Sequence, residues 1–239
     1  MRRYSKYFIY FIYSIYSIYL TTLSSCTSNE IGNSKDVNPD AVYFDYKIYG
    51  DEKDGNMTVY LQYRMGGKNG TTLVLNEPAK VHLDGEEIKV DSARLSGAFY
   101  QIEKPLKSFA GKHEIVFTDL NNKEHKEEFS FTPLKLKTNI PAVINRGDLA
   151  FDFDGVGQNE YIRVVLIDTS FRSRDINEID TVRNGRIVIK ADQLKNLVNG
   201  HITLQFSKEL EKPLRNGMKE GGRISISYTI LREFELKAP

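Results

Sequence analysis

Four acidic side chains, Asp148, Asp152, Asp154 and Glu160, fall close together around an Asp154-Gly155 step. Hard cations such as calcium take clustered oxygen ligands, so the group invites a metal reading. A twelve-residue calcium loop with Gly155 at its glycine would put Ala150 at the first ligand and Tyr161 at the last. Neither carries a carboxylate. The preferred reading is a strand with acidic outward positions, closed by an Asp-Gly turn; a loose calcium site at Asp152 and Asp154 is the alternative. His82, His113, His125 and His201 are scattered, none with a cysteine or acidic partner at metal-ligand spacing. No Gly-x-Ser-x-Gly elbow or phosphate-binding glycine loop is present. The expectation is therefore no metal, no cofactor and no enzyme.

Other short patterns can be weighed the same way. Asp168-Thr169-Ser170 lacks the glycine of the Asp-Thr-Gly found in aspartic proteases, and it has no second copy. Arg146-Gly147-Asp148 spells an integrin-binding tripeptide but sits where a turn should precede a strand. Tyr43, Tyr49 and Tyr60 lie on the outward faces of two predicted strands and are candidate ligand-binding residues. Such a row can stack on sugar rings or bury against a protein. Sugar platforms lean on tryptophan, which this chain lacks. Domain packing or cross-strand pairing is the expected use.

Asp91-Ser92-Ala93 and Asp180-Thr181-Val182 resemble the Asp-Ser/Thr-aliphatic pattern of O-glycosylation in exported proteins of the Bacteroidota. That resemblance implies Ser92 and Thr181 as acceptors.

What would place these residues in a cell is the leader. Arg2, Arg3 and Lys6 precede a charge-free stretch from Tyr7 to Leu23, the form of an export signal. The stretch is short for a membrane-spanning helix, which needs roughly 20 apolar residues. Its many tyrosines also favour the interface over the bilayer centre. Leu23-Ser24-Ser25-Cys26 resembles the lipobox of bacterial lipoproteins, with Ser25 where that family prefers Gly or Ala. The resemblance implies cleavage before Cys26 and a diacylglyceryl group on its sulfur. Cys26 is the only cysteine, so no intramolecular disulfide competes for it. Acyl chains would anchor the protein to a membrane without spanning it. The expected location is the bacterial cell envelope, at the outer membrane. The face is open, since only Glu30 supplies an acidic residue soon after the cysteine.

Three of the 33 basic residues lie in the leader, so the rest of the chain is close to charge balance against 32 acidic residues. That removes the electrostatic case for nucleic acid. Forty per cent hydrophobic content supports packed cores. The expected organisation is a signal peptide over 1–25, a lipidated cysteine and flexible tether over 26–39, and β-sandwich domains over 40–133 and 134–239. Polar, turn-forming residues suggest the tether.

From Ala41 the pattern has period two. Val42, Phe44, Tyr46 and Ile48 alternate with more polar neighbours, as do Met57, Val59, Leu61, Tyr63 and Met65. Asp84-Gly85 predicts a tight hairpin and Asn121-Asn122 a second turn. Short, evenly spaced strands without long helical patterns predict an all-β fold of two sandwiches. Residues 80–132, through Leu83-Asp84-Gly85-Glu86 and Gly111 to Phe117, resemble immunoglobulin-like domains of bacterial envelope proteins. Residues 168–184 and Leu210–Gly222 are expected as long loops, and Asp192–Val198 as a helical turn or two. The functional expectation is a lipid-anchored binding or structural module with an envelope protein or glycan as partner. The alternative is a carbohydrate-binding accessory subunit of a glycan-uptake system.

Overall fold

The computed structural model describes residues 31–93, 95–168 and 175–238. Cys26, the leader and Thr169-Ser170 lie outside the described residues. The chain is all-β, as its period-two pattern predicts. In chain order come β1 (Ile31–Asn33), β2 (Val42–Asp51), β3 (Asn56–Met65), β4 (Thr71–Val74) and β5 (Lys80–Leu83). Next are β6 (Glu86–Glu87), β7 (Val90–Ala93), β8 (Gly97–Pro105), β9 (Gly111–Thr118) and β10 (Glu124–Phe131). Then follow β11 (Lys135–Leu136), β12 (Val143–Asn145), β13 (Leu149–Asp154), β14 (Tyr161–Asp168) and β15 (Ile176–Thr181). The last are β16 (Arg186–Ile189), β17 (Gly200–Met218) and β18 (Gly221–Lys237). No helix among the described residues is long and apolar enough to cross a membrane.

One large sheet runs β1-β4-β3-β2-β18-β17-β14-β15, with β8 and β7 continuing from β3 and β12 beside β18. Two smaller sheets, β10-β9-β5-β6 and β11-β13-β16, pack on its inner face. Aromatic rings join the layers. Phe117 on β9 meets Phe44 and Tyr63 at centroid distances of 4.9 and 4.8 Å. Phe151 and Phe153 on β13 meet Phe206 on β17 at 5.0 and 4.9 Å. The alternating residues Phe44, Tyr46, Ile48, Val59, Leu61 and Tyr63 are all buried in this core.

The Asp84-Gly85 turn is present, with φ of 49° and 85°, the left-handed pair that a two-residue hairpin requires. Asn122 likewise takes a φ of 59°.

Three expectations are corrected. First, 31–39 is not free tether. Ile31–Asn33 pairs in parallel with Thr72–Val74, and Ser34 is buried with its Oγ accepting from Asn76 N at 2.8 Å. Second, Leu210–Gly222 is no loop. Leu210 to Pro213 stay in ladder with Ile226 to Arg223, and the register shifts only between Pro213 and Met218. A proline is tolerated there because β14 flanks β17 only as far as Ser207, leaving Pro213 at a sheet margin. Within 168–184, Ile176–Thr181 is a strand paired with β14.

Third, the strands do not divide at residue 133. Gly222–Thr229 pair in parallel with Phe44–Asp51, so the end of the chain completes the sheet begun at its start. Gly222 makes this approach possible: a Cβ there would lie 2.7 Å from the Phe44 carbonyl oxygen. The β17–β18 pair therefore serves both sandwiches.

Candidate functional site

The outer face of the large sheet carries the residues with most chemical potential. Asp45 points outward on β2, yet it is only 2% exposed. Its Oδ1 accepts from Arg223 Nε at 2.8 Å, while Lys47 Nζ lies 3.6 Å and Arg64 Nε 4.0 Å from its Oδ2. Gln62, also buried, donates to the carbonyls of Ser96 and Ala98, and its Oε1 accepts from Arg64. The hydrogen bond to Asp45 raises the Arg223 pKa further above its ordinary value. One carboxylate among three cations is a structural clasp, holding β18 to β2.

That clasp interrupts the tyrosine row. Tyr43 is half-buried, and burial pushes its phenol pKa up against the opposing pull of Arg223. Tyr60 stacks on Phe99 at 5.0 Å, with Lys47 Nζ 5.9 Å from its ring centroid. Tyr49 alone of the three is exposed, at 43%, and it borders a polar groove of about 670 Å³ with Thr58, Glu103, Ser227 and Thr229. The three tyrosines thus form no common platform.

The acidic group around Gly155 is not brought together. Asp148 bonds Lys190 Nζ at 2.8 Å, and Asp152 takes a bidentate pair from Arg186 at 2.6 and 2.8 Å. Asp154 faces Lys137 at 3.5 Å, and Glu160 faces Lys208 at 2.8 Å. Hydrogen bonds from these partners hold the carboxyls of Asp148 and Asp152 below the usual carboxylate range. Among the described residues, no group of three or more His, Cys, Asp or Glu side chains is placed to hold a metal.

Two of the histidines are tied to turns. His113 Nδ1 lies 2.7 Å from Asp84 Oδ2 and its Nε2 2.7 Å from the Phe109 carbonyl. His125 Nε2 is 3.1 Å from Asp119 Oδ2. Arg146 donates to Asn199 and to the Leu194 and Leu197 carbonyls, so the Arg-Gly-Asp tripeptide is fastened to its neighbours. Ser92 is exposed on β7, and Thr181 is half-buried at the end of β15.

A second groove, about 450 Å³, went unseen in the sequence. It lies between the end of β10 and the start of β14, lined by Phe131, Tyr161, Lys208, Leu210 and Tyr228. Lys208 Nζ bonds the Gly155 carbonyl at 3.0 Å as well as Glu160. Burial pushes the Tyr228 phenol up to about 12. The sequence signal was the same-face alternation of Leu204, Phe206, Lys208 and Leu210 along one strand.

No family model and no curated protein matches the sequence. Among solved structures, the chain is similar to one from a 1.5-MDa bacterial ice-binding adhesin (7% identity, 84% of this chain, 66% of that one, TM-score 0.25). It is also similar to a tetra-tandem repeat in the extending region of a large adhesion protein (12%, 75% and 56%, TM-score 0.26). A third is SGBP-B of the Bacteroides ovatus mixed-linkage glucan utilization locus, in complex with a heptasaccharide (10%, 87% and 66%, TM-score 0.18). Overlaps this small carry no argument for function.

Proposed function

We propose that this protein is a non-catalytic binding or structural module of the bacterial cell envelope, lipid-anchored through Cys26 and working as a stiff arm. One observation carries the reading. The β17–β18 pair, strands of 19 and 17 residues, runs through both sandwiches and stays in ladder from the pairing of Gly200 with Leu236 to that of Pro213 with Arg223. At about 3.3 Å per residue the longer strand spans roughly 60 Å. Two units that share their strands cannot swing as two units joined by a linker do. A rigid arm suits holding a partner away from a surface, and the leader with its Leu23-Ser24-Ser25-Cys26 supports a surface as its base.

Intact-mass measurement of the processed protein tests the anchor. Loss of 1–25 with acyl mass on Cys26 is expected, and Cys26→Ala should release the protein from membranes. An unmodified cysteine or a retained leader ends the reading. The same spectrum reports any hexose mass on the processed chain, which Ser92→Ala and Thr181→Val should remove if those residues are the acceptors.

A glycan partner is a second reading, favoured by the exposed Tyr49 beside its polar groove. Affinity electrophoresis through polysaccharide gels tests it: retardation lost in Tyr49→Ala supports it, and unretarded wild-type protein rejects it.

A further inference from the structure

Because Ile31 already lies in a strand, only Thr27 to Glu30 separate Cys26 from the folded body. Five residue steps reach at most about 18 Å. If the anchor is on Cys26, the end of the body where the chain enters is held within that distance of the headgroups.

The ladders say which end it is. Ile31 is level with Thr72, Thr72 with Arg64, and Arg64 with Tyr43. Phe44, the next residue, pairs with Gly222, just past the tip of the β17–β18 hairpin. Strand β1 runs parallel to β4, which leads away from the turn after Met65, so the N-terminal end of β1 at Ile31 lies on the side of that turn and the hairpin tip. Glu220 N donates to the Asp40 carbonyl there.

Cations gather at this end. A groove of about 600 Å³ is lined by Lys123, Lys126, Arg215 and Lys219 against the carboxylates Asp40 and Glu124, with Glu220 beside it. Lys219 pairs with Asp40, and Lys126 lies 3.3 Å from Glu124. Lys123 and Arg215 are exposed and have no ion pair among the described residues.

We propose that this end rests on the membrane, with Lys123, Lys126, Arg215 and Lys219 against the phosphates of anionic lipid headgroups, so that the arm stands upright. The proposal rests on the anchoring reading. Attraction of this kind acts within about one Debye length, roughly 8 Å at physiological salt, and the short connection lets the groove come within that range.

The test uses lipidated full-length protein in vesicles containing phosphatidylglycerol. Thiol-reactive fluorophores are placed by Asn121→Cys at the near end or Asn196→Cys at the far end, and the quencher is a headgroup spin-labelled lipid. Several-fold stronger quenching is expected at position 121. It should fall toward the value at 196 in Lys123→Glu/Arg215→Glu, at high salt, and in purely zwitterionic vesicles. Equal quenching at the two sites, or quenching at 121 indifferent to charge reversal, overturns the proposal while leaving the anchor intact. Protein that does not partition into vesicles and carries no acyl mass overturns the anchor and the proposal together.

Discussion

Arg223 Nε lies 2.8 Å from Asp45 Oδ1 across 178 residues of chain, and this bond ties the last strand to the first long one. Arg223 is the nearest of three cations around the buried Asp45 carboxylate, and losing its hydrogen bond while Lys47 and Arg64 stay should cost about 2 kcal/mol. Arg223→Met should therefore lower the urea midpoint strongly. Lys47→Met, whose ammonium is 3.6 Å from Asp45 and 40% exposed, should cost less than 1 kcal/mol. Equal losses in the two variants would mean that Arg223 does not dominate the clasp.

A fragment ending at Thr132 should not fold. It would contain β2 without the Gly222–Thr229 partner that pairs with Phe44–Asp51. It would also lose Tyr228, whose ring lies 5.7 Å from that of Phe131. An exposed central strand edge leads to aggregation. Poor amide dispersion and no cooperative melt are expected, and a well-dispersed spectrum would show that the shared hairpin is dispensable. For the whole chain, one unfolding transition is expected in calorimetry.

Local signals in the sequence were good guides wherever neighbours in sequence are neighbours in space. Val42 to Ile48 and Met57 to Tyr63 alternate because one sheet face is buried, and Asp84-Gly85 turns because both residues accept positive φ. The β18–β2 pairing had no such signal, since parallel partners at this separation leave no local pattern. Pro213, Gly217, Gly221 and Gly222 spelled a loop, yet only the short stretch between Pro213 and Met218 leaves the register. Asp45 looked like an ordinary outward residue because the residue that buries it is supplied by β18. Within the tyrosine row, Tyr60 stacks on Phe99 from β8, the cross-strand use expected of an outward tyrosine.

Acid should weaken the fold through Asp119. Burial raises its pKa, but the His125 ring and the N–H groups of Lys123 and Asn121 outweigh that, so the net shift is downward. A carboxyl with a depressed folded pKa contributes stability that is complete above its unfolded value, near 3.9, and is lost as pH falls through the folded one. The urea midpoint should fall below about pH 4. In Asp119→Asn the fall should be shallower, and identical slopes would assign the acid sensitivity to other carboxyls.

Alkali should act on the core through phenols. Tyr46 and Tyr63 are buried with hydroxyls 3.3 Å apart, and burial is the main cause raising both pKa values; burial also raises Tyr228, to about 12. The ordinary phenol value is 10.0. Unfolded chains therefore ionise first, and stability is complete below pH 10 and declines as pH rises through the folded values. Tyrosinate absorbance from these residues should grow only together with loss of the β-sheet circular dichroism signal. Tyr46→Phe keeps the ring and removes one hydrogen bond, so neutral stability should drop by about 1 kcal/mol. Its decline per pH unit above 10 should nonetheless be shallower than that of the wild type, because one fewer buried phenol is released on unfolding. A decline as steep as the wild type's would mean that Tyr46 ionises as readily inside the core as outside it.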